Sequence, residues 1–322
     1  NTQSSGKMRY VRIEFAGIEL TPNNETNSLT MGSLGSGTEA DYIMVSFGGD
    51  DGFEWFGGTI NHKYLISFAM WDDDYDMDYG YAGNVQFGLA VRYPGFADQS
   101  ESNGFECDNG PDDNDLEPYT TGTFSNMTIL GPISPDSEGG NRVSNNNFRH
   151  AIDLRRRTAV TIANSVFTGF PRGLRMNQTS VFSQYTEKNN GVLVNNILLT
   201  PTGHSSNIPF SVGTGMTATA ADVKAYWENN NKLVEGPLKA EIYAENSLRP
   251  EWQFGRTALA SSYPSDPNFT TTGGMAPKFD HPKFNETGRA SFFDKTVNFV
   301  GAFGSTDWTN QWAEFDPVDR IY

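Results

Sequence analysis

Ten carboxylates packed into three short phrases carry the most chemistry in this chain: Asp50, Asp51 and Glu54; then Asp72, Asp73, Asp74, Asp76 and Asp78; then Glu106 and Asp108. Acids this dense repel one another unless a cation or a proton intervenes. Calcium takes about six to eight oxygen ligands on a somewhat yielding frame, which carboxylates, Asn oxygens and backbone carbonyls together supply. On an extended segment Asp74, Asp76 and Asp78 would project to one side and Asp73 and Met77 to the other. The plainer alternative is a solvated acidic face or Asp residues in Asx turns. Zinc is disfavoured, because none of the four His has a second His or Cys at ligand spacing.

A basic cluster follows: Arg149, His150, Arg155, Arg156, Arg157, Arg172 and Arg175. With Arg155, Arg157 or Lys63 as the base, such a group could take the proton α to a sugar carboxylate while calcium offsets its charge, so that the leaving oxygen departs by β-elimination. An internal salt bridge to the acidic phrases is the plainer reading and the one preferred. Glu54 and Asp76 could be drawn as a glycosidase pair, but so many acids are present that some pair always qualifies. Trp308 and Trp312, with Trp55 and Trp71, could stack on sugars or cap the core; Trp is usually buried in large part. His62, His150, His204 and His281 show no triad or metal context, and Cys107, the only cysteine, reads as a buried free thiol.

The net charge of −16 argues against nucleic acid as partner. From Asp41 to Glu117 there are 17 acids against two bases, Lys63 and Arg92, a net of −15. No apolar run is long enough to span a membrane. A start at Asn1 with Thr and Ser is what a processed secreted product would show, and a trimmed one would look the same. Asn-x-Thr sequons at Asn24, Asn126, Asn177, Asn268 and Asn285 are no more than chance in so Asn- and Thr-rich a chain.

The elements that must position these groups are short β runs between turns: Tyr10 to Ala16, Tyr42 to Phe47, Tyr64 to Phe68, Asn84 to Leu89, Phe124 to Leu130, Val160 to Phe167, Val192 to Leu198 and Thr296 to Val300. DDGFEWFGG from Asp50 and DDDYDMDYG from Asp72 align at an offset of 22 residues, pairing Phe53 with Tyr75 and Glu54 with Asp76. The strands before them step from Tyr42 to Tyr64 and on to Gln86. SNGFECDNG from Ser102 brings Phe105 and Glu106 into the same phase after an insertion around Tyr93 to Glu101. This period, with turns at fixed phase and three short strands per copy, predicts the coils of a parallel β-helix, stacked about 4.8 Å apart. The aromatic member should face the core and the acid a cation or solvent. Glu101 to Tyr119 reads as an acidic surface loop. Thr219 to Asn229 is predicted as the one short helix, N-capped by Thr219, with Val223, Tyr226 and Trp227 on its apolar side. The whole chain, 1–322, is expected to be a single β-helix domain, with an irregular insertion or capping region at about 201–293.

Several phrases resemble a family of secreted or surface proteins of Bacteroidota, many of them delivered with a C-terminal type IX sorting domain. They are YVRIEFAG (10 to 17), DDGFEWFGGTINHKYLIS (50 to 67), DDDYDMDYGYAGNVQF (72 to 87), NGFECDN (103 to 109), FSNMTILGP (124 to 132), NSVFTGFPRGL (164 to 174) and VGAFGSTDWTNQWAEFDP (300 to 317). RPEWQFGRTALASS matches more loosely. The resemblance implies an all-β, single-stranded right-handed parallel β-helix of the pectate-lyase-like kind, exported to the cell surface or medium. It implies no catalytic residues. The chain departs from the family pattern at Cys107, where a small polar residue is expected, and in its triple Arg.

Together these observations lead first to a secreted, calcium-stabilised, non-catalytic β-helix acting in adhesion, surface structure or the binding of a polysaccharide or cell-surface glycan. The rival is a polysaccharide lyase or glycoside hydrolase acting on an acidic polysaccharide along the outer face. A third expectation is self-association as a subunit of a surface filament.

Overall fold

The computed structural model describes residues 1–21, 25–133, 145–201, 208–236, 276–286, 289–304 and 306–320. His204, the sequons at Asn24 and Asn268 and the phrase RPEWQFGRTALASS lie outside the described residues.

Strands alternate between two parallel sheets as the chain coils. The first sheet takes β1 (Lys7–Glu14), β3 (Glu39–Ser46), β5 (His62–Phe68), β7 (Asn84–Val91), β9 (Thr123–Leu130), β12 (Val166–Thr168), β15 (Ile197–Pro201) and β17 (Lys232–Gly236), in that spatial order, with β11 (Thr161–Ala163) and β14 (Val192–Val194) beside them. The second takes β2 (Leu29–Gly32), β4 (Phe53–Phe56), β6 (Tyr75–Asp78), β8 (Phe105–Cys107), β10 (His150–Leu154), β13 (Arg172–Met176) and β16 (Ile208–Val212). Neighbours in a sheet are thus one full coil apart, which is the right-handed parallel β-helix. Each coil carries two strand sides, where three were expected.

Between the sheets lies one apolar column that includes Phe53, Trp55, Tyr75, Tyr81, Phe105, Phe124 and Phe167, all with no exposed surface. In the first sheet seven successive coils bend at a left-handed residue at one phase: Tyr10, Tyr42, Tyr64, Phe87, Asn126, Asn164 and Asn195, with φ between 52° and 67°. That conformation is costly for a residue with a Cβ and least so for Asn. The aromatic members stack on one another, with ring centres 4.5, 4.4 and 5.0 Å apart from Tyr10 through Phe87, and this contact offsets part of the cost. The register puts Phe87, not Gln86, after Tyr64, since Lys63 pairs with Gln86 and Leu65 with Gly88.

The predicted helix is present as α2 (Ala220–Asn230), closed by a capping box between Thr219 and Asp222, with Val223 and Trp227 buried. A second helix, α1 (Thr179–Thr186), was not foreseen; its first turn lacks an acid and its N-cap, Gln178, makes no side-chain cap. Ile208–Val212 and Lys232–Gly236 pair in register with the strands before them, so coiling continues past Pro201. Thr296 to Val300 is not a strand. It belongs to a C-terminal strap that crosses the outer face of the first sheet and is held by that face's amides. Asn195 Nδ2 donates to the Ala276 carbonyl (2.9 Å), Lys278 N donates to Asn164 Oδ1 (2.8 Å), Asp294 N donates to Gln86 Oε1 (2.7 Å) and Asn126 Nδ2 donates to the Phe299 carbonyl (3.0 Å).

Candidate metal centre

Two outward rows on the second sheet build the site. Inward residues Phe53, Tyr75 and Phe105 stack at 5.6 and 5.2 Å, and this fixes the coils so that Glu54, Asp76 and Glu106 stand in register on the other face. The row starts at Thr30 and runs on through Asp153 and Arg175 to Ser211. The neighbouring row is tied by its own side chains: Asp73 N donates to Asp51 Oδ1 (2.9 Å), Asn103 N donates to Asp73 Oδ1 (2.5 Å), and His150 N donates to Asn103 Oδ1 (2.9 Å). These bonds run from one coil to the next, 22 and 30 residues apart for Asp51 and Asp73, and so are not the local Asx turns that the plainer reading offered.

These rows bring together seven of the ten acids. Asp50, Asp51 and Asp72 offer one oxygen each within 4.8 Å of one another, as do Asp51, Glu54 and Asp76, and again Asp73, Asp76 and Glu106. Asp51 and Asp76 belong to two groups each. Among the described residues no Lys or Arg forms an ion pair with Asp50, Asp51, Glu54, Asp72, Asp73 or Asp76. Asn27 donates to Glu54 and Ser100 Oγ donates to Asp72 Oδ2 (2.8 Å). Asp72 Oδ1 and Asp76 Oδ1 are sealed from solvent and have no hydrogen-bond partner. Burial, then repulsion from Glu25 and Asp98, pushes the carboxyl of Asp50 up to about 6, and burial, then repulsion from Asp50 and Asp78, pushes that of Glu54 up to about 7. Burial also takes Asp72 to about 7, and its neighbour Asp50 adds to the shift while Ser100 opposes it. Asp51, Asp73, Asp76 and Glu106 are displaced upward for the same leading reason. An all-oxygen donor set with sealed, unpartnered oxygens suits a hard cation and not zinc.

The other three acids go elsewhere. Asp74 does not share a side with Asp76 and Asp78: it turns into the core at a coil corner, pairs with Arg92 at 2.9 Å and accepts from Ser67 Oγ at 2.7 Å. Asp78 Oδ1 accepts from Tyr79 N. Asp108 pairs with Arg155 (2.5 Å) and Arg156 (2.9 Å).

Each proposed base is spoken for. Arg155 also pairs with Glu106 at 2.5 Å, and Arg157 pairs with Asp113 and Asp115 of the acidic loop. Lys63 is on the first sheet, 5.1 Å from the Phe292 ring centre, with Asp294 and Asp41 nearby. Trp308 and Trp312 sit in the strap. Trp308 stacks on Phe303 (5.2 Å) and meets Tyr64, while Trp312 meets Tyr42 and Tyr10 edge-on. Trp55 is buried, and its indole donates to His62 Nε2 (3.1 Å) while His62 Nδ1 donates to the Ala40 carbonyl (2.6 Å). Sequence reasoning missed the Asp51 to His150 backbone ladder and the strap. The first had a signal in the Asp50-Asp51 and Asp72-Asp73 pairs that open two of the copies, with Asn103 at the same phase in the third.

A family model described as a pectate-lyase like beta helix domain matches residues 1–237. No curated protein matches, and no solved structure matches.

Proposed function

The chain belongs to the pectate-lyase-like β-helix family, and from that premise we propose that it is a calcium-stabilised extracellular module, non-catalytic, that serves adhesion, surface structure or glycan binding. Export to the surface of a Bacteroidota cell by the type IX route is part of this reading. One observation carries the cation: three carboxylate groups that overlap through Asp51 and Asp76, with sealed oxygens lacking a partner. Asp50, Asp51, Glu54, Asp72, Asp73, Asp76 and Glu106 would hold it. An ion in any one group would supply positive charge that joins two adjacent coils, and the three overlapping groups together link three consecutive coils on their outer face.

A lyase or hydrolase comes second, because Arg155 and Arg157 are engaged in ion pairs and Lys63 lies on the other sheet. The test is calorimetric titration of the chelator-treated chain with calcium, with magnesium in parallel. Saturable calcium binding supports the reading; no binding of either ion ends it. Incubation with pectin, alginate and other uronans tests the second reading, which requires a rise in ultraviolet absorbance from unsaturated product.

A further inference from the structure

The first sheet carries a tyrosine ladder on its outer face. Arg9 pairs in register with Asp41 and Val11 with Ile43, so Tyr10 stands opposite Tyr42 on the neighbouring coil. Both adopt the same left-handed backbone, with φ of 55° and 54°, and their side chains therefore leave the sheet in the same direction. Coils lie about 4.8 Å apart, and the rings keep that spacing, with centres 4.5 Å apart and planes 23° from parallel. Tyr64 adds a third ring 4.4 Å beyond Tyr42.

The three rings differ in access. Tyr10 is 60% exposed. Tyr42 is half-buried between its two neighbours, and Tyr64 is half-buried against Phe87 at 5.0 Å and Trp308 at 5.2 Å. Trp312 meets Tyr10 and Tyr42 edge-on, at 6.1 and 5.8 Å. Phenols, indoles and thiols are the side chains that lose single electrons most readily, and the Cys107 thiol is buried. A hole left on Tyr10 or Trp312 can thus pass to Tyr42 through rings in contact. Tyr185 and Tyr226 also meet, but edge to face at 6.0 Å, with Tyr185 buried.

We infer that Tyr10 and Tyr42 form a site of oxidative modification, where a one-electron oxidant of the haem-peroxidase class, using hydrogen peroxide, joins them as dityrosine. Each phenol gives up its hydroxyl hydrogen, one proton and one electron. The two phenoxyl radicals pair their electrons in a new bond between Cε atoms, the ring carbons ortho to the hydroxyls. The hydrogens displaced from those carbons leave as protons and the oxygens regain protons, which restores both phenols. One peroxide takes up the two electrons and two protons and leaves as two waters. Bonding requires the rings to turn from face-to-face to edge-to-edge. The exposure of Tyr10 gives room for that turn, whereas Tyr64 is confined by Phe87 and Trp308. The link would tie the first coil to the next between residues 32 positions apart. It lies on the first sheet, away from the carboxylate groups on the second, and stands whether or not a cation fills them.

Treating the dilute full chain with a plant haem peroxidase and hydrogen peroxide tests this. The expected product is a monomer lighter by two hydrogens that shows the blue fluorescence of dityrosine, and peptide mapping should recover Tyr10 joined to Tyr42. Tyr10→Phe and Tyr42→Phe keep the stacked ring and remove the hydroxyl, so each should abolish the intramolecular product. Tyr64→Phe and Tyr185→Phe should retain it. The linked monomer should melt higher than the untreated chain, because a cross-link restricts the unfolded state. A monomer of unchanged hydrogen count, dityrosine found only in concentration-dependent dimers, or a link mapped to any other pair would overturn the site.

Discussion

Asp73 and Asp74 are adjacent in the chain and face opposite sides of the coil. Asp73 turns outward, within 4.8 Å of oxygens from Asp76 and Glu106, and Asp74 turns inward onto Arg92 at 2.9 Å, with both partners fully buried. Arg92 thus supplies the inner positive charge, and its Nη groups also donate to the carbonyls of Met70 and Asn103. Removing one partner leaves the other buried and unpaired. Arg92→Met is therefore expected to destabilise the fold by about 3 to 5 kcal/mol, measured by urea unfolding; a loss under about 1 kcal/mol would mean the pair is dispensable.

Chelation should lower the melting temperature, because an ion that binds only the folded chain stabilises it by mass action, about 2.7 kcal/mol at 100 times its dissociation constant. Scanning calorimetry with EDTA and with graded free calcium checks this. Identical curves in both would remove the structural metal.

Asp76 is shared by two carboxylate groups, so Asp76→Asn should act in two directions. Calcium binding is expected to weaken about tenfold or more, since a shared charged ligand is lost. The metal-free protein should melt higher, since a buried charge among like charges is removed. Asp78→Asn, outside the groups, should leave calcium affinity unchanged. Equal calcium affinity in Asp76→Asn and wild type would refute the placement.

The pH dependence follows from the raised carboxyls. Asp50 at about 6 and Glu54 and Asp72 at about 7 lie above their unfolded values, so the folded state takes up protons first as pH falls. Their contribution is complete below the unfolded values and is lost as pH rises through about 6 to 7. Buried His62, held down to about 4, and His150 oppose this, but only below their unfolded value of about 6.5. In EDTA the melting temperature should accordingly climb from pH 8 to pH 6.5. Saturating calcium should flatten or reverse that slope, since protons then compete with the ion. A metal-free melting temperature that drops over this interval would contradict the picture.

Trp308 donates its indole N–H to the Ala302 carbonyl (2.8 Å) and stacks on Phe303. Trp308→Ala should cost about 2 kcal/mol of stability, read by denaturant unfolding, and leave any glycan affinity unchanged. Loss of glycan binding without loss of stability would restore Trp308 and Trp312 as a sugar platform.

The repeat was legible because each copy sets an aromatic before an acid at one phase: Phe53 and Glu54, Tyr75 and Asp76, Phe105 and Glu106 fell into register as read. Alternation failed at Asp74, because a coil corner breaks the two-residue period that holds within a strand. It failed again by one residue at Gln86, because the coil gains a residue in the turn after Asp78: Phe56 pairs with Asp78 at an offset of 22, but His62 pairs with Val85 at an offset of 23. The strap was beyond reach of any local pattern. Its contacts join Asn126 to Phe299 and Asn164 to Lys278, and nothing in the spacing of Asn residues says what will lie across them.

The strap also sets an order of assembly. Coils of a solenoid contact only their neighbours and can form progressively from local pairs. Arg12 Nη1, in the first strand, donates to the carbonyl of Trp312, 300 residues later, and Asp294 N and Ala302 N bond Gln86 and Thr128 across 208 and 174 residues. Such distant closures cannot form until every coil between them is in place. The strap thus acts as a check on the coils that precede it, clasping only a stack whose coils have already met in the right count.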